Sequence, residues 1–367
     1  MPGQDLTDLA RTLRQKVSEA TSSRPVPQRP WLEGVSDKPF YFLPSIEVSA
    51  AAEIEAQTAT PINTVAPIAR PNRAELGEPP IPDDLALVDP QAILAVRTCK
   101  AGDLTACSNL GQALYQGRGA PQMPEAAVAL FQHACTAGSV QGCSFLAAAY
   151  RSGVGTELNF QEAEKQFAGS CDSGFAPACA GLGEIYHLGL GIPQDYSKAF
   201  QNYDKACRGG DQVGCFLVGS SYFEGIGVPI NRERALSFIR PSCDSGVPQA
   251  CNGLAYMYQN GIGVEVDFEQ AETLFRQACN NLWAISCMSL ANLYSSGLVD
   301  KPSSKSLAEL FGKACAIGGP DLCATWGFNL YYGQGITEDK LNGYAMIALA
   351  CEDGSAIGCQ NLKGLPE

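Results

Sequence analysis

Histidine is almost missing from this chain: two, His133 and His187, in 367 residues. That leaves little for a histidine metal site or for imidazole acid–base chemistry. Basic residues are also in short supply, 25 against 38 acidic ones, for a net charge of −13. A phosphate backbone or an anionic membrane surface is repelled by such a balance, so nucleic acid is not the expected partner. No run of 18 apolar residues occurs, which excludes a transmembrane helix by hydropathy. The nucleophile and phosphate-binding patterns S-x-x-K, G-x-S-x-G, H-E-x-x-H and G-x-x-x-x-G-K are absent, as is C-x-x-C. No cofactor is implied by any motif. The first 84 residues hold twelve prolines and no cysteine. Such a stretch cannot bury a core and reads as a proline-rich linker, distinct from residues 85–367.

Cysteine, by contrast, is abundant and periodic. Sixteen residues fall into eight pairs: Cys99 with Cys107, Cys135 with Cys143, Cys171 with Cys179, Cys207 with Cys215, Cys243 with Cys251, Cys279 with Cys287, Cys315 with Cys323, and Cys351 with Cys359. Mates are eight residues apart and pairs repeat every 36, without a slip. A fixed period of this size is the mark of a repeat array. Other residues keep the same step. A glycine stands three after the first cysteine in seven of eight units, with Leu282 as the exception. Tyrosine recurs at Tyr150, Tyr186, Tyr222, Tyr258 and Tyr294. Paired loop glycines follow, as in Gly189 and Gly191, a rule broken by Val299. Asn159, Asp195, Asn231, Asp267 and Asp339 come next.

Within a unit the pattern reads as two helices. Cys179, Leu182, Gly183 and Tyr186 recur at three- and four-residue steps. Gly189 and Gly191 stop that helix, and Asp195 caps the next one. Ala199, Tyr203 and Ala206 continue a buried stripe to Cys207, and Asp211 caps the following helix. Small residues at the position of Gly183 let paired helices approach closely. Pro90 opens a half unit at the start, and another half unit follows Cys351.

The cysteines admit three readings: a disulfide ladder, reduced apolar fillers, or metal ligands. The first cysteine falls on the last turn of one helix and its mate on the first turn of the next. A tight hairpin brings such helix ends within bridging distance, which favours the ladder. Ligand spacings of two to four with accompanying histidine, which metal would need, are lacking.

The motif Y-x-x-G-x-G-I/V-x-x-D/N-x-x-x-A with a following A-C-x-x-G-x-x-x-x-C resembles the Sel-one-like repeat, a relative of the tetratricopeptide repeat. It stands clearly in YHLGLGIPQDYSKAFQNYDKAC (186–207) and YQNGIGVEVDFEQAETLFRQAC (258–279). The paired cysteines resemble the cysteine-rich Hcp branch of that family. The fold so implied is all-α: a right-handed α/α superhelix with one disulfide per repeat over residues 85–367. The irregular stretch 279–306 predicts a local distortion rather than a break. Functionally, the resemblance implies a protein-interaction scaffold, with a penicillin-binding protein or slow β-lactamase as the alternative. A relative in cytochrome oxidase assembly adds a mitochondrial option.

A binding groove on the concave side would be lined by the first helix of each unit. There Gln112, Glu184, Glu224, Tyr256, Asn260, Asn292 and Tyr332 lie opposite the buried stripe. They suit a protein or extended peptide, with a peptidoglycan-type ligand as the other candidate. Catalytic and metal residues are not assigned. His133 and His187 read as satisfied or exposed side chains, and the repeating tyrosines as packing. Disulfides imply an oxidising compartment, secreted or periplasmic, or else the mitochondrial intermembrane space. The opening stripe Leu6, Leu9, Ala10, Leu13 and Val17 reads as a marginal helix and lacks the apolar centre of a secretory signal. A removed leader or a non-classical route would reconcile the two. PFYFLP (39–44) is an aromatic cluster of open role.

Overall fold

The structure, a computed structural model, describes residues 77–82, 90–118, 120–300, 304–333 and 338–365. Among these, the side chains of 90, 91, 295 and 304–309 are not described. The Leu6–Val17 stripe and PFYFLP lie outside the described residues, as does most of 1–84.

Fifteen helices and no strand occur among the described residues. They are α1 (Pro90–Lys100), α2 (Leu104–Gln116), α3 (Pro124–Thr136), α4 (Val140–Ser152), α5 (Phe160–Asp172), α6 (Ala176–Leu188), α7 (Tyr196–Arg208) and α8 (Gln212–Glu224). Then follow α9 (Arg232–Asp244), α10 (Pro248–Asn260), α11 (Phe268–Asn280), α12 (Ala284–Ser295), α13 (Ser304–Tyr332), α14 (Lys340–Glu352) and α15 (Ala356–Gly364). The ten helices α2 to α11 are each 13 residues long. Uniform length follows from uniform start and stop signals. Asn159, Asp195, Asn231, Asp267 and Asp339 each accept a backbone N–H at a helix N-terminus, as their spacing predicts. Asp211 does the same for α8. Where α6 and α10 have no such side chain, proline occupies the first turn and removes an orphan donor instead. Gly189, at φ 67°, ends α6 in the left-handed region that only glycine enters without strain.

Each first helix (even-numbered, α2 to α12) packs on the second helix of its own unit, and α2 to α10 also touch neighbouring first helices. Gly183 shows how closely the pair approaches. A Cβ there would stand 2.5 Å from the Tyr203 ring and 3.0 Å from the Ala199 carbonyl. Ala199, Tyr203 and Ala206 are all buried, as the stripe predicts. Phe167 and Leu182 fill the core between units. The apolar interior is a row of clusters along the array, in which units share residues with neighbours.

All sixteen cysteines are bridged, as the spacing predicts. Cys99 is joined to Cys107, Cys135 to Cys143, Cys171 to Cys179 and Cys207 to Cys215. Cys243 is joined to Cys251, Cys279 to Cys287, Cys315 to Cys323 and Cys351 to Cys359. Their Cα atoms lie 4.3 to 4.8 Å apart. Each bridge closes the turn between the second helix of one unit and the first helix of the next. The second cysteines Cys107, Cys179, Cys251, Cys287 and Cys323 are buried, while Cys143, Cys215 and Cys359 are half-buried. The ladder therefore replaces the two other readings of the cysteines. Closing so short a loop stabilises by about 2–3 kcal/mol per bridge on the chain-entropy model.

Distortion falls where the sequence departs from its period, and reaches beyond that stretch to Gly319. Leu282 stands where other units have the turn glycine, and is the one described non-glycine residue at positive φ, 64°. Helix α12 loses a residue, and Ser296 continues it in right-handed geometry before Gly297 turns at φ 71°. In the next turn Gly319, not the expected Gly318, carries the unusual backbone, φ 79° and ψ 175°. The cause is Pro320, which drives the residue before it to extended ψ. Two helices thereby run on as the kinked α13.

Candidate inner-face binding site

The seven candidate groove residues all lie on first helices or their equivalent. Gln112 is on α2, Glu184 on α6, Glu224 on α8, Tyr256 and Asn260 on α10, Asn292 on α12 and Tyr332 at the end of α13. Gln112, Glu184, Glu224, Tyr256 and Asn292 are half-buried, and Asn260 and Tyr332 exposed. They fall five or nine residues after the second cysteine of their unit, positions one helical turn apart and so on one face.

The structure gives several of them partners that spacing did not reveal. Glu184 pairs with Arg151 of the preceding first helix α4. The Arg151 side chain is 7% exposed, and burial pulls its pKa below the usual guanidinium value. Tyr256 meets Phe223 of α8 edge-on, with ring centroids 6.5 Å apart. Both contacts join residues 33 apart, so a residue eight after one cysteine faces a residue five after the next unit's. Asn260 donates to the Tyr256 carbonyl one turn back, at 2.9 Å. Tyr332 stacks obliquely with Phe328 (4.7 Å) and edge-on with Tyr331 (5.0 Å), making an aromatic end to the row. Towards the start of the array the Tyr115 hydroxyl meets Ser152 at 2.7 Å, and Gln141 donates to Asn109 at 3.1 Å.

A group of buried polar side chains underlies the middle of this face. Tyr203 of α7 is 2% exposed, and burial raises its phenol pKa far beyond the ordinary range, with Arg151 and Glu224 acting on it electrostatically. His187 of α6 lies edge-on to Tyr196, 5.5 Å between centroids, and beside Tyr203. Its expected status as satisfied or exposed is corrected. It is buried, its Nδ1 has no hydrogen-bond partner, and desolvation pushes its pKa down to about 4. The Ser220 hydroxyl on α8 is likewise buried and unpartnered. Burial also lowers the pKa of His133.

The repeating tyrosines do more than pack. The Tyr186 hydroxyl donates to Glu164, Arg240 donates to Tyr258, and Arg276 donates to Tyr294, each across a unit boundary. Arg234 donates to Tyr222 within its unit. Burial and the bonded Glu272 push the Tyr294 phenol up to about 12. The tyrosine period is visible in sequence. The partners are not, because they change along the array: glutamate for Tyr186, arginine for Tyr222 and Tyr258, and one of each for Tyr294.

No helix among the described residues is long and apolar enough to cross a membrane. Eight intramolecular bridges belong to an oxidising compartment.

Comparison with known proteins places this architecture. The family model for the Sel1 repeat matches residues 104–139, 176–211, 212–247, 248–281 and 323–355. Among solved structures, a Sel1 repeat protein from Oxalobacter formigenes is 24% identical, covering 75% of this chain and 80% of its own, with a TM-score of 0.49. A protective antigen of uropathogenic Escherichia coli displaying an SLR fold is 27% identical over 73% of this chain and 58% of its own, with a TM-score of 0.45. Cysteine-rich protein B of Helicobacter pylori is 28% identical over 31% of this chain and 87% of its own, with a TM-score of 0.28. No curated protein matches the chain. The 36-residue period, the helix pairs and the matched repeats agree: this chain carries Sel1 repeats, and every repeat boundary is closed by a disulfide.

Proposed function

We propose that the chain is a non-catalytic scaffold that holds a protein or an extended peptide along the face formed by its first helices, in a secreted or periplasmic setting. One observation supports this reading above others. Half-buried or exposed polar and aromatic side chains recur there unit after unit, from Gln112 through Tyr256 and Asn292 to Tyr332. A surface built of repeats offers contacts at a fixed step, which suits a ligand that is itself extended. Tyrosine and asparagine supply contact area and amide hydrogen bonding at low entropic cost. The hydrolase alternative rests on the resemblance of the cysteine spacing alone.

The test is display of random dodecapeptides against the immobilised full chain, with all disulfides intact. Selected peptides should lose binding to Tyr256→Ala and Asn292→Ala, and keep it with Lys165→Ala on the outer helix α5. Failure to select any peptide, or equal binding by all variants, contradicts the reading.

A further inference from the structure

The array opens on a second helix, α1, which packs on α2 of the next unit. Among the described residues no first helix of its own unit stands beside it. Leu94 shows what that leaves. It lies five residues before the first cysteine of its unit and is 60% exposed, with Ile93 next to it at 38%. Apolar residues at the same position in later units are covered: Leu130, Leu274 and Met346 are each 9% exposed or less. The first helix of the unit takes part in that covering. Leu130 shares an apolar cluster with Leu110 of α2, and Leu274 shares one with Leu254 of α10. In α1 the leucine is present and the covering helix is not.

A sequence fit for that helix lies upstream. First helices carry a core residue, a leucine three positions on, a small residue directly after it, and a large side chain three beyond that. Cys251, Leu254, Ala255 and Tyr258 form one such set, and Cys143, Leu146, Ala147 and Tyr150 another. Leu6, Leu9, Ala10 and Leu13 repeat the spacing, and Val17 extends the stripe by a turn. Leucine in the cysteine position keeps the apolar contact without a bridge. The segment also has the reach it needs. Residues 77–82 run beside the first unit, where Ile81 packs on the cluster that holds Cys99 and Leu110. About 60 residues separate that point from Val17, and a coil of that length reaches about 40 Å. The 11 residues of α1 span only about 16 Å.

We propose that residues 6–17 dock as a helix on the open face of α1 and complete the opening unit. Leu9 and Leu94 take the places that Leu254 and Leu274 hold in a later unit, and Ala10 stands at the position of close approach. The intervening chain makes the docking intramolecular, so a small apolar contact suffices. This surface is separate from the peptide-binding face and does not depend on it.

Amide hydrogen exchange on the full chain, with all bridges intact, tests it. Amides of residues 6–17 should exchange about tenfold or more slowly than in Leu9→Asp. Leu94→Asp, a change at an exposed site, should release the same amides to the same extent, and the double variant should show no further change. Gln15→Asp, on the side opposite the stripe, should keep most of the protection. Absence of protection in the parent chain overturns the proposal. Protection that Leu94→Asp leaves intact overturns it by placing the segment elsewhere. Protection that disappears on dilution makes the partner a second copy, and equal loss in Gln15→Asp reduces the effect to helix propensity; either result overturns it too. If exchange in α1 quickens with Phe42→Asp and not with Leu9→Asp, the occupant is the aromatic cluster at 39–44 and the proposal falls. Retention of all eight bridges and of helical circular dichroism in each variant guards against misfolding.

Discussion

Arg151 on α4 and Glu184 on α6 form an ion pair across a repeat boundary, 33 positions apart in a chain whose period is 36. The pair ties two first helices together. Its arginine is nearly out of solvent, so the interaction is held in a weakly screened setting.

Removing one partner should therefore cost more than the pair contributes. Glu184→Ala leaves a buried guanidinium without its carboxylate, and should lower unfolding free energy by about 3 kcal/mol. Replacing both with apolar residues of similar volume should recover most of the loss. Denaturant melts of the two variants check this. A Glu184→Ala variant as stable as the parent would show that solvent reaches Arg151 freely.

Protonation of His187 gives a second expectation. Its folded pKa of about 4 lies below the ordinary value of 6.5, so the unfolded chain takes up a proton that the folded chain refuses. The contribution to stability is full above pH 6.5 and is lost as pH falls towards 4, roughly 2–3 kcal/mol over that window. His187→Gln removes this slope, and the difference between the stability curves of the two proteins isolates it from carboxylate titration. Parallel curves between pH 7 and 4 would contradict the burial of the imidazole.

Helix approach at Gly183 is equally direct to examine. Adding one methyl in Gly183→Ala sets a Cβ 2.5 Å from the Tyr203 ring, and the backbone carbonyl of Ala199 blocks the other side. Overpacking of this kind costs about 1–3 kcal/mol. The melting temperature of the variant should fall, and a neutral result would mean that α6 and α7 lie farther apart.

Leu282 offers the opposite sign. It holds φ 64° in a turn where seven other units have glycine, and is 39% exposed. Leu282→Gly relieves a left-handed backbone that costs a branched side chain about 1 kcal/mol, against a modest loss of burial. The variant should be more stable by roughly 0.5 kcal/mol or more in urea titration. A loss of stability would show the side chain contributing more than its exposure implies.

The period made most of the fold legible. Regular cysteines located the turns, Asn159, Asp195, Asn231 and Asp267 located the helix starts, and Gly183 and its equivalents located the close contacts. All of these act through local backbone or short-range sterics, and so repeat in most units. What stayed hidden acts across units and occurs once. Arg151 finds Glu184 although neither recurs in other repeats. In sequence His187 has the look of a stray side chain, and its burial depends on Tyr196 and Tyr203 packing over it. The shift of the turn from Gly318 to Gly319 came from Pro320, whose effect on the preceding residue the repeat pattern masked. For the candidate groove residues, position on the helix was readable, but the pairing of Glu184 and of Tyr256 with the preceding unit required the superhelical register.

The closure of each hairpin by sulfur is the claim on which compartment, rigidity and the proposed binding face all depend. Alkylation of the freshly isolated chain without reductant, followed by digestion and mass spectrometry, measures it. The expected result is no labelled cysteine and eight bridged peptide pairs, each joining residues eight apart, from Cys99 with Cys107 to Cys351 with Cys359. Label on most cysteines, or bridges between different hairpins, would contradict it.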